Sequence, residues 1–167
     1  MGEKLKVGIA RVGETPELIE VDKDEWFKEV QGLVGGNVEF FYPPYEDIIL
    51  AVNEEGLFTC QPNRVVFANQ KMEDERYLEC FEYKKPVKVG DAYTILFGNI
   101  VAIAVNHDEE KSVKDITDDE FGQFFADFYN PFLAYVLIAV YKEEGRWLNR
   151  DEIRQYMIAG LDSERGE

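Results

Sequence analysis

His107 is the single histidine of the chain, and it stands directly before Asp108, Glu109 and Glu110. An imidazole beside carboxylates is the composition of a hard-cation patch, because oxygen ligands hold such ions. One imidazole builds neither a His-rich zinc site nor an H-E-x-x-H helix, and Cys60 and Cys80 are too far apart for a C-x-x-C pair. The run therefore reads as a solvated acidic turn, and no metal or cofactor is assigned. Ser112 and Ser163 are the candidate nucleophiles, and neither sits on the strand-to-helix elbow that a catalytic triad uses. Gly35-Gly36-Asn37 comes after a predicted helix instead of opening one, which is the C-cap position and not a phosphate cradle. Carboxylates are too many to single out an acid–base pair, so no catalytic residue is assigned. The polar positions that stand out are Asn53, Asn63 and Arg64. A polar turn beside an arginine can hold an anion or a partner's carboxylate through paired hydrogen bonds. The alternative is structural: Asn53 makes a turn and Arg64 an ion pair on an acidic surface.

These residues need elements to position them. Leu5, Val7 and Ile9 alternate with Lys4, Lys6 and Gly8, the period of a half-buried strand over 4–12. Gly13 to Pro16 turns the chain, and Leu18 to Val21 returns as a second strand, so the opening reads as a hairpin. Asp22 with Glu25 matches a capping pattern for a helix over 23–34, in which Trp26, Val30 and Leu33 share a face. Val38 to Tyr42 and Ile48 to Val52 read as strands, and Asn53 to Gly56 as a tight turn into a further strand, Leu57 to Cys60. Pro62-Asn63 breaks the chain. Residues 69–88 are charged and weakly patterned, fitting a loop, a lid or a β-excursion. Thr94 to Phe97 and Ile100 to Val105 are strand-like; Gly98-Asn99 between them permits a hairpin turn or a short link into a central strand. Thr117 with Glu120 forms a capping box before a helix carrying Phe121, Phe124, Phe125 and Phe128 on one face. Pro131 kinks this helix or starts another, and the pattern continues to Lys142; Gly145 ends it. Asn149 with Glu152 caps a last helix through Ala159. The fold class expected is α+β: a largely antiparallel sheet with one early helix and a C-terminal helical extension packed on it. Residues 1–125 form the core, and 126–167 an extension of the same compact unit that is suited to dimerisation.

Composition narrows the function. Thirty-four acidic residues against 18 Lys and Arg leave a formal charge of −16 in 167 residues. That balance argues against gripping a phosphate backbone, which rests on clustered cations. The charge comes from Glu14 to Glu29, Glu73 to Glu82 and Asp108 to Glu120, not from a tail. Twelve Phe and nine Tyr exclude a disordered acidic chain, which would be poor in aromatics. Two cysteines are no disulfide framework and point to a reducing cytoplasm. The start lacks the apolar stretch of about 7–15 residues that a secretory signal carries. The longest apolar run, Phe132 to Tyr141, is too short for a bilayer that needs about 20 residues, so no membrane is expected.

Three stretches carry a family resemblance: VGGNVEFFYP at Val34 to Pro43, ILAVNEEGLF continuing to PNR at Pro62 to Arg64, and GNIVAIAV leading to SVKDITDDEFGQF. Over roughly residues 4–125 the sequence resembles the phage and mobile-element family catalogued as domain of unknown function 3846. The resemblance implies an α+β domain from a bacterial mobile element and carries no activity with it. The charged stretch 69–88 is longer than that family's pattern, and the tail after Phe125 lies beyond its core.

The sequence supports three functions. The first is a non-enzymatic binding or regulatory module of a mobile element or phage, with a protein partner and self-association through its C-terminal helices. The phenylalanine row is a helix face packed on the sheet or a dimer seam, which Phe124, Phe128, Phe132 and Tyr135 would form. The second is an acidic mimic of nucleic acid that blocks a host defence protein. The third is a small ligand-binding protein or enzyme with a site near Asn63 and Arg64.

Overall fold

The alternation of Leu5, Val7 and Ile9 yields strand β1 (Lys4–Ala10), and the expected hairpin partner is β2 (Glu17–Asp22), antiparallel with Leu5 opposite Val21. Next come α1 (Trp26–Val34), β3 (Val38–Phe41), β4 (Ile48–Asn53), α2 (Gly56–Thr59), β5 (Pro62–Phe67), α3 (Gln70–Asp74) and β6 (Ala92–Phe97). The chain continues through β7 (Ile100–Asn106), β8 (Ser112–Lys114), α4 (Asp118–Asp127), α5 (Leu133–Glu144) and α6 (Arg150–Arg165). This computed structural model describes residues 2–81, 85–106 and 112–165, with side chains through residue 158. The architecture is α+β, its main sheet antiparallel. By its internal contacts the chain forms two compact units. One unit comprises Met1–Arg64 with Leu96–Pro131, the other Val65–Ile95 with Phe132–Glu167.

In the first unit the main sheet has the order β2-β1-β7-β4-β3, and β8 pairs with the far end of β7. Gly98-Asn99 thus feeds a central strand and makes no hairpin: β6 pairs with β5, while β7 lies between β1 and β4. The run Ile100–Ala104 is accordingly buried at every position. Leu5, Val7, Ile9, Val101 and Ile103 pack with Val30 and Val34 of α1. Gly8 points to the opposite face, because side chains alternate along a strand. A Cβ on Gly8 would stand 3.1 Å from the Phe124 ring and 3.2 Å from that of Phe121. The missing side chain lets α4 lie on the strand. The sheet is therefore covered on both faces, by α1 on one and α4 on the other.

Local signals set the helix ends with mixed success. Gly35 closes α1 in the left-handed conformation, φ 81°, with its N–H donating to Gln31 O. At the other end the Asp22–Glu25 cap does not form, and α1 begins at Trp26. Asp22 instead accepts from the Asp24 N–H at 2.9 Å, holding a short turn before the helix. Thr117 and Glu120 make both bonds of the capping box on α4. The helix stops before Pro131, and α5 is a separate helix.

The second unit contains α3, α5, α6 and the residues between α3 and β6. Asn69 caps α3 by accepting from the Met72 N–H. An isolated bridge joins Leu78 to Pro86, and the Cys80 N–H donates to Tyr93 O. The described residues of 69–88 thus hold a short helix, Gln70–Asp74, and an isolated β-bridge between Leu78 and Pro86. Gly145 ends α5 at φ 72°, and Asn149 and Glu152 cap α6 reciprocally. That helix runs on to Arg165, past the expected end at Ala159. Between α5 and α6, Trp147 lies flat between Phe81 and Tyr141, with ring centroids 3.9 and 4.1 Å away.

Candidate functional site

Pro62 does not end the chain's regular structure but begins β5, a first-strand position where a missing N–H costs nothing. This puts Asn63 and Arg64 inside the first unit, 0% and 1% exposed. The Asn63 amide donates to Ala10 O at 2.8 Å and Gly98 O at 2.7 Å, tying the end of β1 to the turn before β7. Its Oδ1 accepts from the Arg64 guanidinium. Arg64 Nε donates to Phe128 O at 2.7 Å, and Nη2 to Glu14 O. Phe128 is the C-cap residue of α4. The last carbonyls of a helix lack partners within it and carry partial negative charge, so a guanidinium satisfies them in both respects. Burial lowers the Arg64 pKa to about 10, which leaves it cationic at neutral pH. Among the described residues Arg64 makes no ion pair; the partners it has there are carbonyl and amide oxygens.

Asn53 bonds elsewhere. Its amide donates to Val34 O at 3.1 Å, and its Oδ1 accepts from the Glu55 N–H at 2.8 Å. The second bond starts the turn predicted at Asn53–Gly56. The strand expected after this turn does not form: Gly56–Thr59 makes one helical turn, closed by the Cys60 N–H on Gly56 O at 2.8 Å. The turn is held from below. Gly56 is buried, and a Cβ there would come within 2.9 Å of Phe97 O. The Glu54 N–H donates to Asn37 O at 2.8 Å, and Thr59 Oγ1 to Glu55 O. On this fixed turn Leu57 is 65% and Phe58 85% exposed. Isolated apolar residues on a surface are ordinary, but two adjacent large ones on a braced turn form a presented feature.

The residues grouped as an interface are separated by burial. Phe124 and Phe128 are 0% and 3% exposed within the first unit, so they are core. Phe132 and Tyr135, in the second unit, are exposed. The His107–Glu110 run lies outside the described residues, as does the Ser163 side chain. Among the described residues no group of three His, Cys, Asp or Glu is placed to hold a metal ion, and Cys60 and Cys80 are free thiols. No helix among them is long and apolar enough to cross a membrane.

Two features had no sequence signal. Tyr45 donates to Asp127 Oδ2 at 2.6 Å, across 82 residues of chain. Burial first, and then the Asp127 charge, push the phenol far above its usual value, so it acts only as a donor. In the second unit, a cleft of about 420 Å³ is lined by Phe81, Trp147, Glu79, Lys85, Asp91 and Arg146 among others. Arg146 is already paired with Glu152 at 2.7 Å, and the remaining charges there have mixed signs.

Residues 5–129, most of the chain and all of the Asn63–Arg64 network and the Leu57–Phe58 turn, match the family described as Domain of unknown function (DUF3846). The chain belongs to that family. No curated protein and no solved structure matches it.

Proposed function

We propose that this protein is a non-enzymatic protein-binding module, of the kind a phage or bacterial mobile element brings to act on a host component, and that Leu57 and Phe58 anchor it to its partner. The observation that carries this reading is the exposure of Leu57 and Phe58, 65% and 85%, on a turn fixed at both ends. A rigid anchor loses little conformational freedom on binding, which is what allows one aromatic side chain to dominate an interface. Anchoring through a fixed turn needs no catalytic group. Asn63 and Arg64, with their hydrogen bonds made inside the chain, serve in this reading to hold the platform.

The test is photo-crosslinking in bacterial cells from p-benzoylphenylalanine placed at position 58. A discrete adduct, lost on competition with the unmodified chain but not with the L57A/F58A double variant, supports the reading. An adduct pattern equal to that from a probe at exposed Tyr129 overturns it.

A further inference from the structure

The stretch of chain that carries this anchor is one-sided in charge. Between Lys28 and Arg64 the sequence has no Lys, Arg or His, while Glu29, Glu39, Glu46, Asp47, Glu54 and Glu55 fall in that interval. Arg64 itself is buried, so it offers no surface cation. Glu54 and Glu55 directly precede the turn and are exposed. Glu39 is exposed on the edge strand β3, opposite Val52, the residue before Asn53. Glu54 and Glu55 thus adjoin the apolar pair in the chain, Glu39 stands on the strand paired with the one that leads into it, and that stretch of sequence supplies no surface cation.

We infer that the partner of Leu57 and Phe58 is a protein presenting an apolar pocket rimmed by Lys and Arg. This rests on the anchoring role proposed for the turn and adds the chemistry of its receptor. Opposite charges at a rim steer encounter and disfavour wrong partners more than they add affinity, while the buried aromatic supplies most of the binding energy. The same charge selects against two other occupants. A second copy docked turn to turn would set Glu54 and Glu55 against their own equivalents, and an anionic lipid surface would repel all three carboxylates.

The probe is a phage-displayed random 12-residue peptide library, panned on the immobilised full chain with counter-selection on F58A. Binding of recovered peptides is then measured for wild type, F58A and E54Q/E55Q at low and physiological salt. All substitutions lie at exposed positions, and a thermal melt confirms each variant's fold. The expected result is enrichment of peptides combining bulky apolar residues with Lys or Arg. Their affinity falls about 30-fold or more in F58A. It falls several-fold in E54Q/E55Q and on adding salt, as screening requires. Peptides that depend on Phe58 but lack cations, and whose binding ignores salt and E54Q/E55Q, overturn the basic rim while leaving the anchor in place. Failure to recover any Phe58-dependent peptide overturns the anchor itself. Phe58-dependent binding to phosphatidylcholine vesicles, or concentration-dependent self-association lost in F58A, assigns the turn to a lipid surface or a second copy and likewise overturns the inference.

Discussion

Arg64 shows how one side chain can hold two distant pieces of backbone and a neighbouring side chain together. It joins the C-terminus of α4, the loop carrying Glu14 and its own neighbour Asn63, all by donation. Replacing it with methionine keeps the stem and leaves those oxygens buried and unpaired. R64M should lose roughly 3 kcal/mol of unfolding free energy in urea titration, with R64K recovering only part, since an ammonium cannot reproduce the planar fork. Tyr45 makes a pH-dependent contribution. Its folded-state phenol titrates well above its ordinary value of 10.0 because of burial and Asp127. The unfolded chain therefore releases this proton first, so the contribution is whole below about pH 10 and declines as pH rises beyond it. Urea titrations from pH 9 to 11.5 should show Y45F less stable at pH 9, by about 1 kcal/mol, and with a flatter alkaline decline. These residues also mark what the sequence concealed. Asn63 and Arg64 stood out as polar, yet their partners Ala10, Glu14 and Phe128 lie 50 to 64 positions away. Nothing local distinguishes such a buried clamp from an exposed ligand site.

At the scale of elements, the legible features were those decided within a few residues. The Thr117–Glu120 and Asn149–Glu152 caps, and the glycines after α1 and α5, are short-range chemistry and formed as their spacing implied. Leu57 to Cys60 failed for the opposite reason. Its apolar content suits a strand, but the Asn53 side chain and the seat for Gly56 against Phe97 wind it into a helical turn. β5 was hidden by Pro62, whose breaking role holds inside a sheet but not at a strand's first residue. The seat predicts a specific sensitivity. G56A forces a methyl group towards a backbone oxygen, and backbone cannot yield as a flexible side chain does. It should cost about 1–3 kcal/mol in urea titration, whereas L57A and F58A, acting on exposed groups, should each stay within about 0.5 kcal/mol of wild type.

The whole molecule carries −16 charges. Self-repulsion of that size opposes the folded state, and salt screens it. Raising sodium chloride from 10 to 150 mM should lift the melting temperature by about 2–4 °C, the equivalent of roughly 1 kcal/mol for a chain of this size. A fall in melting temperature would mean that surface ion pairs such as Lys71–Glu75 outweigh the repulsion. The α+β class was readable because the strand and helix periods are both strong in this chain. The grouping of Val65–Ile95 with the C-terminal helices was not, since it depends on contacts between distant segments.

The position of β7 between β1 and β4 has a consequence in time. The first four strands leave the ribosome well before the strand that joins them, since Ile100 comes 47 positions after Asn53. At translation rates of about 5–20 residues per second, the nascent chain holds two open sheet edges facing an empty slot for roughly 2–10 s. Each edge offers a row of unpaired amides and carbonyls to any extended segment nearby. Production of this protein is therefore most exposed to mispairing during that interval, before Ile100–Ala104 slides into place.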